Sequence, residues 1–200
     1  MYDGGVREPL IVRWPEQIAA GTICETPVSS PDFYPTILAA AGLPAPVKSP
    51  DWAPWYLRLA ADPVNPKKLY AFDALKGEVL RSEDGGAHFE VSATRLRPIP
   101  EYELQYASIK AVPDREGEVW VTTKMELARS SDSGKSFRFV GKVQEAHGFG
   151  FGRAAPGQDY PAVYLSGKVD DLVGFFRSDD AGKTFVRIND DAHQYGGATV

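Results

Sequence analysis

One cysteine, Cys24, stands among 200 residues, so an internal disulfide is excluded, and with three scattered histidines it offers no recognisable zinc site. Positive charge is not in excess either. The net charge is −5 and no basic run occurs, which argues against a nucleic-acid surface. Apolar runs such as Pro9 to Val12 and Ile37 to Ala41 fall far short of the roughly 20 residues a membrane span needs. The start, Met1-Tyr2-Asp3-Gly4-Gly5, does not follow the charged-then-apolar order of a signal peptide, so localisation is not legible from it. Neither a cofactor, a metal, a nucleic acid nor a membrane is expected as a partner.

What is present is a repeat. Arg81-Ser82-Glu83-Asp84-Gly85-Gly86-Ala87-His88-Phe89, Arg129-Ser130-Ser131-Asp132-Ser133-Gly134-Lys135-Ser136-Phe137 and Arg177-Ser178-Asp179-Asp180-Ala181-Gly182-Lys183-Thr184-Phe185 share the template R-S-x-D-x-G-x-x-F at a spacing of 48 residues. Ser and Asp two apart can accept hydrogen bonds from the N–H groups of a tight turn, and the following Gly supplies the positive φ such a turn needs. Ser82, Asp84 and Gly86, Ser130, Asp132 and Gly134, and Ser178, Asp180 and Gly182 are therefore expected to be structural. They form an Asp-box (BNR) hairpin tip, after which Phe re-enters the core.

Residues 1–45 have a different texture. Leu10-Ile11-Val12, bounded by Pro9 and Pro15, suits a strand buried on both faces. Ser30 as N-cap, Pro31 at the first helical position and Gly42 just past the end frame a helix with Phe33, Ile37, Leu38 and Ala41 on one face. Pro44, Pro46, Pro50 and Pro54 mark residues 46–54 as a linker or junction.

The run Tyr2-Asp3-Gly4-Gly5-Val6-Arg7-Glu8-Pro9-Leu10-Ile11-Val12-Arg13-Trp14-Pro15, with Gly21, Thr26-Pro27-Val28-Ser29-Ser30, Asp32, Tyr34-Pro35-Thr36 and Ala41-Gly42-Leu43-Pro44, resembles type I sulfatases in the stretch after their metal site. The resemblance implies an alkaline-phosphatase-like α/β parent with a calcium ion and a formylglycine made in a C-x-P-S-R setting. Cys24-Glu25-Thr26-Pro27 departs from that setting, and the family's metal ligands would precede Met1. Residues 1–45 therefore read as a sulfatase-like remnant without activity.

From residue 55 onward the same order recurs three times. A strand (Tyr56 to Ala60, Ala107 to Ala111, Gly148 to Gly152) leads through a polar turn to a second (Leu69 to Phe72, Val119 to Thr122, Ala162 to Leu165); a third ends in the Arg-Ser of the template and a fourth begins at its Phe. Four antiparallel strands per unit make a propeller blade. The expected fold is mainly β, a partial β-propeller of three blades over residues 55–200, preceded by a short α/β strand-helix fragment. A stacked three-sheet array is the alternative. Propellers hide strand edges by closing a ring of about 4 to 8 blades, so self-association through open edges is expected to be possible.

Template turns and polar turns fall on one face. The loops between second and third strands and the crossings between blades form the other, where propellers usually place ligands. That second face carries Asp73, Lys76, Lys124, Glu126, Lys168, Asp170, Asp171, Arg95, Arg97, Glu101, Tyr102, Glu103, Glu145, His147 and the run Asn189 to Tyr195.

Asp62-Pro63-Val64-Asn65-Pro66 before Leu69-Tyr70-Ala71-Phe72-Asp73, Gly117-Glu118-Val119-Trp120-Val121, Gly148-Phe149-Gly150-Phe151-Gly152-Arg153-Ala154-Ala155-Pro156-Gly157, Tyr160-Pro161-Ala162-Val163-Tyr164 and Arg187-Ile188-Asn189-Asp190-Asp191-Ala192-His193-Gln194-Tyr195-Gly196 resemble the C-terminal end of the xyloglucanase family of glycoside hydrolases. That resemblance implies two seven-bladed propellers facing across a cleft and inverting hydrolysis of β-1,4-glucan by two Asp residues. Both precede the matching stretch, so no residue here is assigned as catalytic. Tyr102, His147, Asp190, His193 and Tyr195 are the candidate substrate-binding residues, with a plant-type polysaccharide, xyloglucan or β-glucan, as partner. Both parent families point to an extracellular or periplasmic setting. The resulting expectation is a truncated or chimeric polysaccharide-degradation protein, inactive alone. A non-catalytic glycan-binding module, a sulfatase remnant and a scaffold propeller are the alternatives.

Overall fold

The computed structural model describes residues 18–23 and 56–193, and the chain divides into two compact units, Met1–Leu43 and Pro44–Val200. In the first, a turn at Gly21 is closed by Thr22, whose Oγ1 donates to the Ala19 carbonyl at 2.8 Å. The strand expected at Val6 to Trp14, the helix at Ser30 to Gly42 and the linker 46–54 lie outside the described residues.

The second unit contains three four-stranded antiparallel sheets. Blade 1 is β1 (Leu57–Ala61), β2 (Leu69–Asp73), β3 (Glu78–Ser82) and β4 (Glu90–Ala93); blade 2 is β5 (Ala107–Ala111), β6 (Val119–Thr123), β7 (Leu127–Ser130) and β8 (Arg138–Phe139). Blade 3 is β9 (Val143–Gly152), β10 (Ala162–Val169), β11 (Leu172–Ser178) and β12 (Val186–Arg187). Each sheet follows chain order, so every connection within a blade is a hairpin and the partial β-propeller is the observed architecture.

Burial depends on what covers each sheet. β6 is buried at all five positions because blade 2 is packed on both faces: Val119 and Val121 join the apolar layer shared with blade 1, and Trp120 joins the layer shared with blade 3. In β11 the inward residues Gly174, Phe176 and Ser178 are buried, while Leu172 and Val173 face solvent. In β10 and β11 a period-2 pattern survives, with alternate residues buried.

The three template turns share one construction. Ser82 Oγ donates to Asp84 Oδ1 at 2.7 Å and accepts from Gly86 N at 2.9 Å, while Asp84 Oδ1 accepts from His88 N at 3.0 Å. Ser130, Asp132, Gly134 and Ser136 repeat it, as do Ser178, Asp180, Gly182 and Thr184. Gly86, Gly134 and Gly182 have φ of 93°, 77° and 83°. The residue before each is left-handed too, including Ser133 at 62° and Ala181 at 59°. The fourth strand starts one residue after the template Phe rather than at it, and Phe137 and Phe185 anchor the turns in the two apolar layers.

Gly85 N donates to Lys67 O and Ser133 N to Gly117 O, which puts the template turns and the polar turns on one face. Blades are joined below and within the sheets. Asp62 Oδ2 of blade 1 accepts from Gly117 N of blade 2 at 2.7 Å, and Trp120 Nε1 of blade 2 donates to Tyr160 Oη of blade 3 at 3.0 Å. Burial alone would raise the Asp62 carboxyl, but hydrogen bonds from Gly117, Asn65, Val64 and Tyr70 prevail and hold it below the usual carboxylate value.

Candidate functional site

The opposite face is built from the crossing between β4 and β5, the β6–β7 loop and the beginning of β9. A short 3-10 helix, Glu101–Tyr106, occupies the crossing. Ile99 N donates to Ala74 O at 2.8 Å, fastening the crossing to the β2–β3 loop.

His147 was expected in a loop, with the first strand of its blade starting at Gly148. The structure places it inside β9, which begins at Val143. The reason is a pair of irregularities in the β9–β10 ladder: Gly148 faces Ser166 but Ala146 faces Gly167, so His147 is unpaired, and Gln144 is skipped in the same way between Glu145 and Val143. Two bulges break the alternation by which strands are recognised, and a bulge re-aims the extra side chain. A Cβ at Gly167 would lie 2.0 Å from Glu145 O, so only glycine fits opposite this bend.

The re-aimed imidazole stands 5.2 Å from the Tyr106 ring, and its Nε2 is 2.9 Å from Glu145 Oε2. Lys124 Nζ lies 5.1 Å from the same Tyr106 ring and pairs with Glu103 Oε1 at 2.6 Å. The hydrogen bond to Glu103 raises the Lys124 ammonium above its ordinary value, with further help from the charges of Glu103 and Glu145. Ala146 N donates to Lys124 O, and Thr122 Oγ1 donates to Ala146 O at 2.8 Å, so blades 2 and 3 hold the cluster rigidly between them. Tyr102, 78% exposed, stands on the 3-10 helix beside Glu103.

Asp190 and His193 are elsewhere on this face, in the segment after β12 at the outer edge of blade 3. Asp190 Oδ1 accepts from Ala192 N, His193 N and His193 Nδ1 at 3.0, 2.8 and 2.7 Å. The His193 ring bond, followed by the two backbone donors, lowers the Asp190 carboxyl. Asp190 thus closes a turn and orients an exposed imidazole. Tyr195 lies outside the described residues. Of the chosen side chains within the described residues, Asp190 and His193 meet each other, His147 lies against Tyr106, and Tyr102 stands exposed on the 3-10 helix. Tyr106 was not singled out by sequence at all; its only signal is its place four residues after Tyr102, on a helix that no apolar period announces. Among the described residues, no group of three or more His, Cys, Asp or Glu side chains is arranged to hold a metal ion.

No protein-family model matches the chain. Xyloglucanase Xgh74A of Acetivibrio thermocellus is 50% identical over 139 residues, 69% of this chain and 16% of that protein. A xyloglucanase of a Paenibacillus species is 42% identical over 149 residues, 72% of this chain and 14% of that one. Among solved structures, the GH74 xyloglucanase of Xanthomonas campestris matches with a TM-score of 0.63 at 30% identity, covering 72% of this chain and 20% of that one. The Niastella koreensis GH74 enzyme matches with 0.61 at 37% identity, over 68% and 19%. Human steryl-sulfatase is 44% identical over only 43 residues, 22% of this chain and 7% of that protein, so the sulfatase likeness rests on a short stretch. Over about 70% of its length the chain is related to GH74 xyloglucanases, and it spans about 16% of the first of these curated relatives.

Proposed function

We propose that the propeller of this chain serves polysaccharide degradation by supplying part of a xyloglucan-contacting surface, and that it does not hydrolyse glycan by itself. The observation that carries the reading is the cluster between blades 2 and 3, where the Tyr106 ring meets His147 and Lys124 and these hold Glu145 and Glu103, with Tyr102 exposed on the same 3-10 helix. An aromatic face takes the C–H side of a pyranose, and charged groups locked by their own partners give directional hydrogen bonds to hydroxyls. Inverting hydrolysis asks for two carboxyl groups about 6.5–9.5 Å apart, one protonated and one activating water. Glu103 instead stands in an ion pair with Lys124, and Glu145 is hydrogen-bonded to the His147 ring, which suits holding better than proton transfer. The sulfatase-like stretch preceding the xyloglucanase-like one supports reading the chain as a chimera, with no sulfatase activity.

Affinity electrophoresis in gels containing xyloglucan tests the contact. The protein is expected to be retarded, and Tyr102→Ala to restore most of its mobility. Unretarded migration of the unaltered protein would refute the surface, and reducing-sugar release from xyloglucan above blank would refute the claim of inactivity.

A further inference from the structure

On the face of the template turns, at the junction of blades 2 and 3, lies an open cleft of about 560 Å³. Its apolar part is formed by Pro113 and Phe151, and its polar part by Asp114, Arg115, Arg153 and Asp159. Phe151 is braced edge-on by Trp120 and Phe149, with ring centroids 6.0 and 5.9 Å away. Arg115 is fixed in place: its guanidinium lies 4.8 Å from the Tyr160 ring and Nη2 donates to Asp159 Oδ2 at 3.0 Å. Asp114 and Arg153, by contrast, are both exposed and hold no hydrogen bond or ion pair among the described residues.

Asp114 is also in the left-handed region. The turn Val112-Pro113-Asp114-Arg115 is closed by Arg115 N donating to Val112 O, and Ala155-Pro156-Gly157-Gln158 of blade 3 is the same turn, closed by Gln158 N and Ala155 O. The third residue is left-handed in both, with φ of 79° at Gly157 and 59° at Asp114. Glycine adopts that region without strain, whereas aspartate, though more tolerant of it than most residues, does so at a modest cost. Blade 2 therefore keeps a carboxylate at the cleft where blade 3 uses the residue the backbone prefers, and strain held at a cleft marks a place to look for a ligand.

We propose that this cleft binds a neutral saccharide. Two carboxylates and two guanidinium groups leave no net charge, so an anion meets Asp114 and Asp159 and a cation meets Arg115 and Arg153. A pyranose suits both halves: its hydroxyls donate to Asp114 and accept from Arg153, while its C–H face lies on Phe151 and Pro113. The cleft is on the face opposite Tyr102 and His147, so it is independent of the surface proposed above.

The test is titration of the isotopically labelled full chain, followed by amide NMR, with cellotetraose as probe and tetragalacturonate and a chitosan tetramer as its anionic and cationic counterparts. Cellotetraose is expected to shift the amides of residues 114–115 and 151–154, and the charged probes to shift them less. Asp114→Gly is expected to melt higher, because the left-handed strain is gone, and yet bind at least about tenfold more weakly; Arg153→Ala is expected to weaken binding similarly without changing the melting temperature. The proposal fails if the charged probes bind as well as the neutral one, or if Asp114→Gly binds unchanged. It fails too if only amides around Tyr102, Tyr106 and His147 move, an outcome that supports the other face instead. Silence at both sets of amides overturns both.

Discussion

Ser130 carries more of the fold than the conspicuous Asp132 beside it. The residue is 1% exposed, and its hydroxyl accepts from Gly134 N inside the protein, so Ser130→Ala leaves a buried N–H without an acceptor. A loss of about 1–3 kcal/mol is expected from urea denaturation. Burial raises the Asp132 and Asp180 carboxyls, but the hydroxyl and backbone donors of Ser136 and Thr184, with Ser130 and Ser178, outweigh it and leave both below the ordinary value. A carboxyl lowered on folding contributes stability that is complete above the unfolded value, about 3.9, and is lost as pH falls through the folded value. Urea midpoints should thus be level through neutral pH and drop below about pH 4. Asp132→Asn should flatten part of that drop, while a midpoint that rises on acidification would contradict the sign.

At the scale of the element, the glycine of each template turn has two duties that sequence shows as one. Gly182 is left-handed, and a Cβ there would stand 2.7 Å from Trp120 Cη2, in the wall of the neighbouring blade. Gly134 is left-handed as well, at φ 77°, but its added Cβ would make only ordinary contacts, 3.5 Å from Ser92 Oγ and Val79 Cγ1. Gly134→Ala should then cost only the backbone strain, about 1–2 kcal/mol, and Gly182→Ala about 3 kcal/mol or more because overpacking against a buried indole is added. Equal losses in the two variants, measured by thermal melting, would show that the contact with Trp120 does not matter. The β9 bulges make the converse case. The Gly148 to Gly152 strand was legible from its alternating Phe and Gly, yet its first five residues were not, because alternation fails wherever a residue is skipped.

For the molecule as a whole, the blades are coupled by buried polar contacts as well as apolar layers. Tyr160 Oη, held 3.0 Å from Trp120 Nε1 and 2.9 Å from Glu118 Oε2, ties blade 3 to blade 2 beneath the stacked Arg115 and Arg129. Burial, ahead of the pull of Glu118, pushes the phenol up to about 12, so it remains a proton donor throughout the neutral range. Tyr160→Phe leaves the fully buried Trp120 N–H unpaired, and a loss of about 1–3 kcal/mol is expected. Hydrogen exchange should quicken in β9 to β11 more than in β1 to β3; uniform quickening would instead mean that the blades open as one unit.

The chain by itself determined the repeat, the blade register and the assignment of Ser, Asp and Gly to turns, because each is a local matter of spacing and backbone conformation. It also separated the two faces, since hairpin order alone sends alternate connections to opposite ends of a sheet. The tertiary structure decided which side chains meet. Tyr106 meets both His147 and Lys124, and Lys124 meets Glu103, only because a crossing helix and a bulged strand from different blades converge there. Asp190 and His193 pair with each other instead, because Asp190 closes a turn three residues long whose backbone and ring donors both reach its carboxylate, a geometry that no periodicity records.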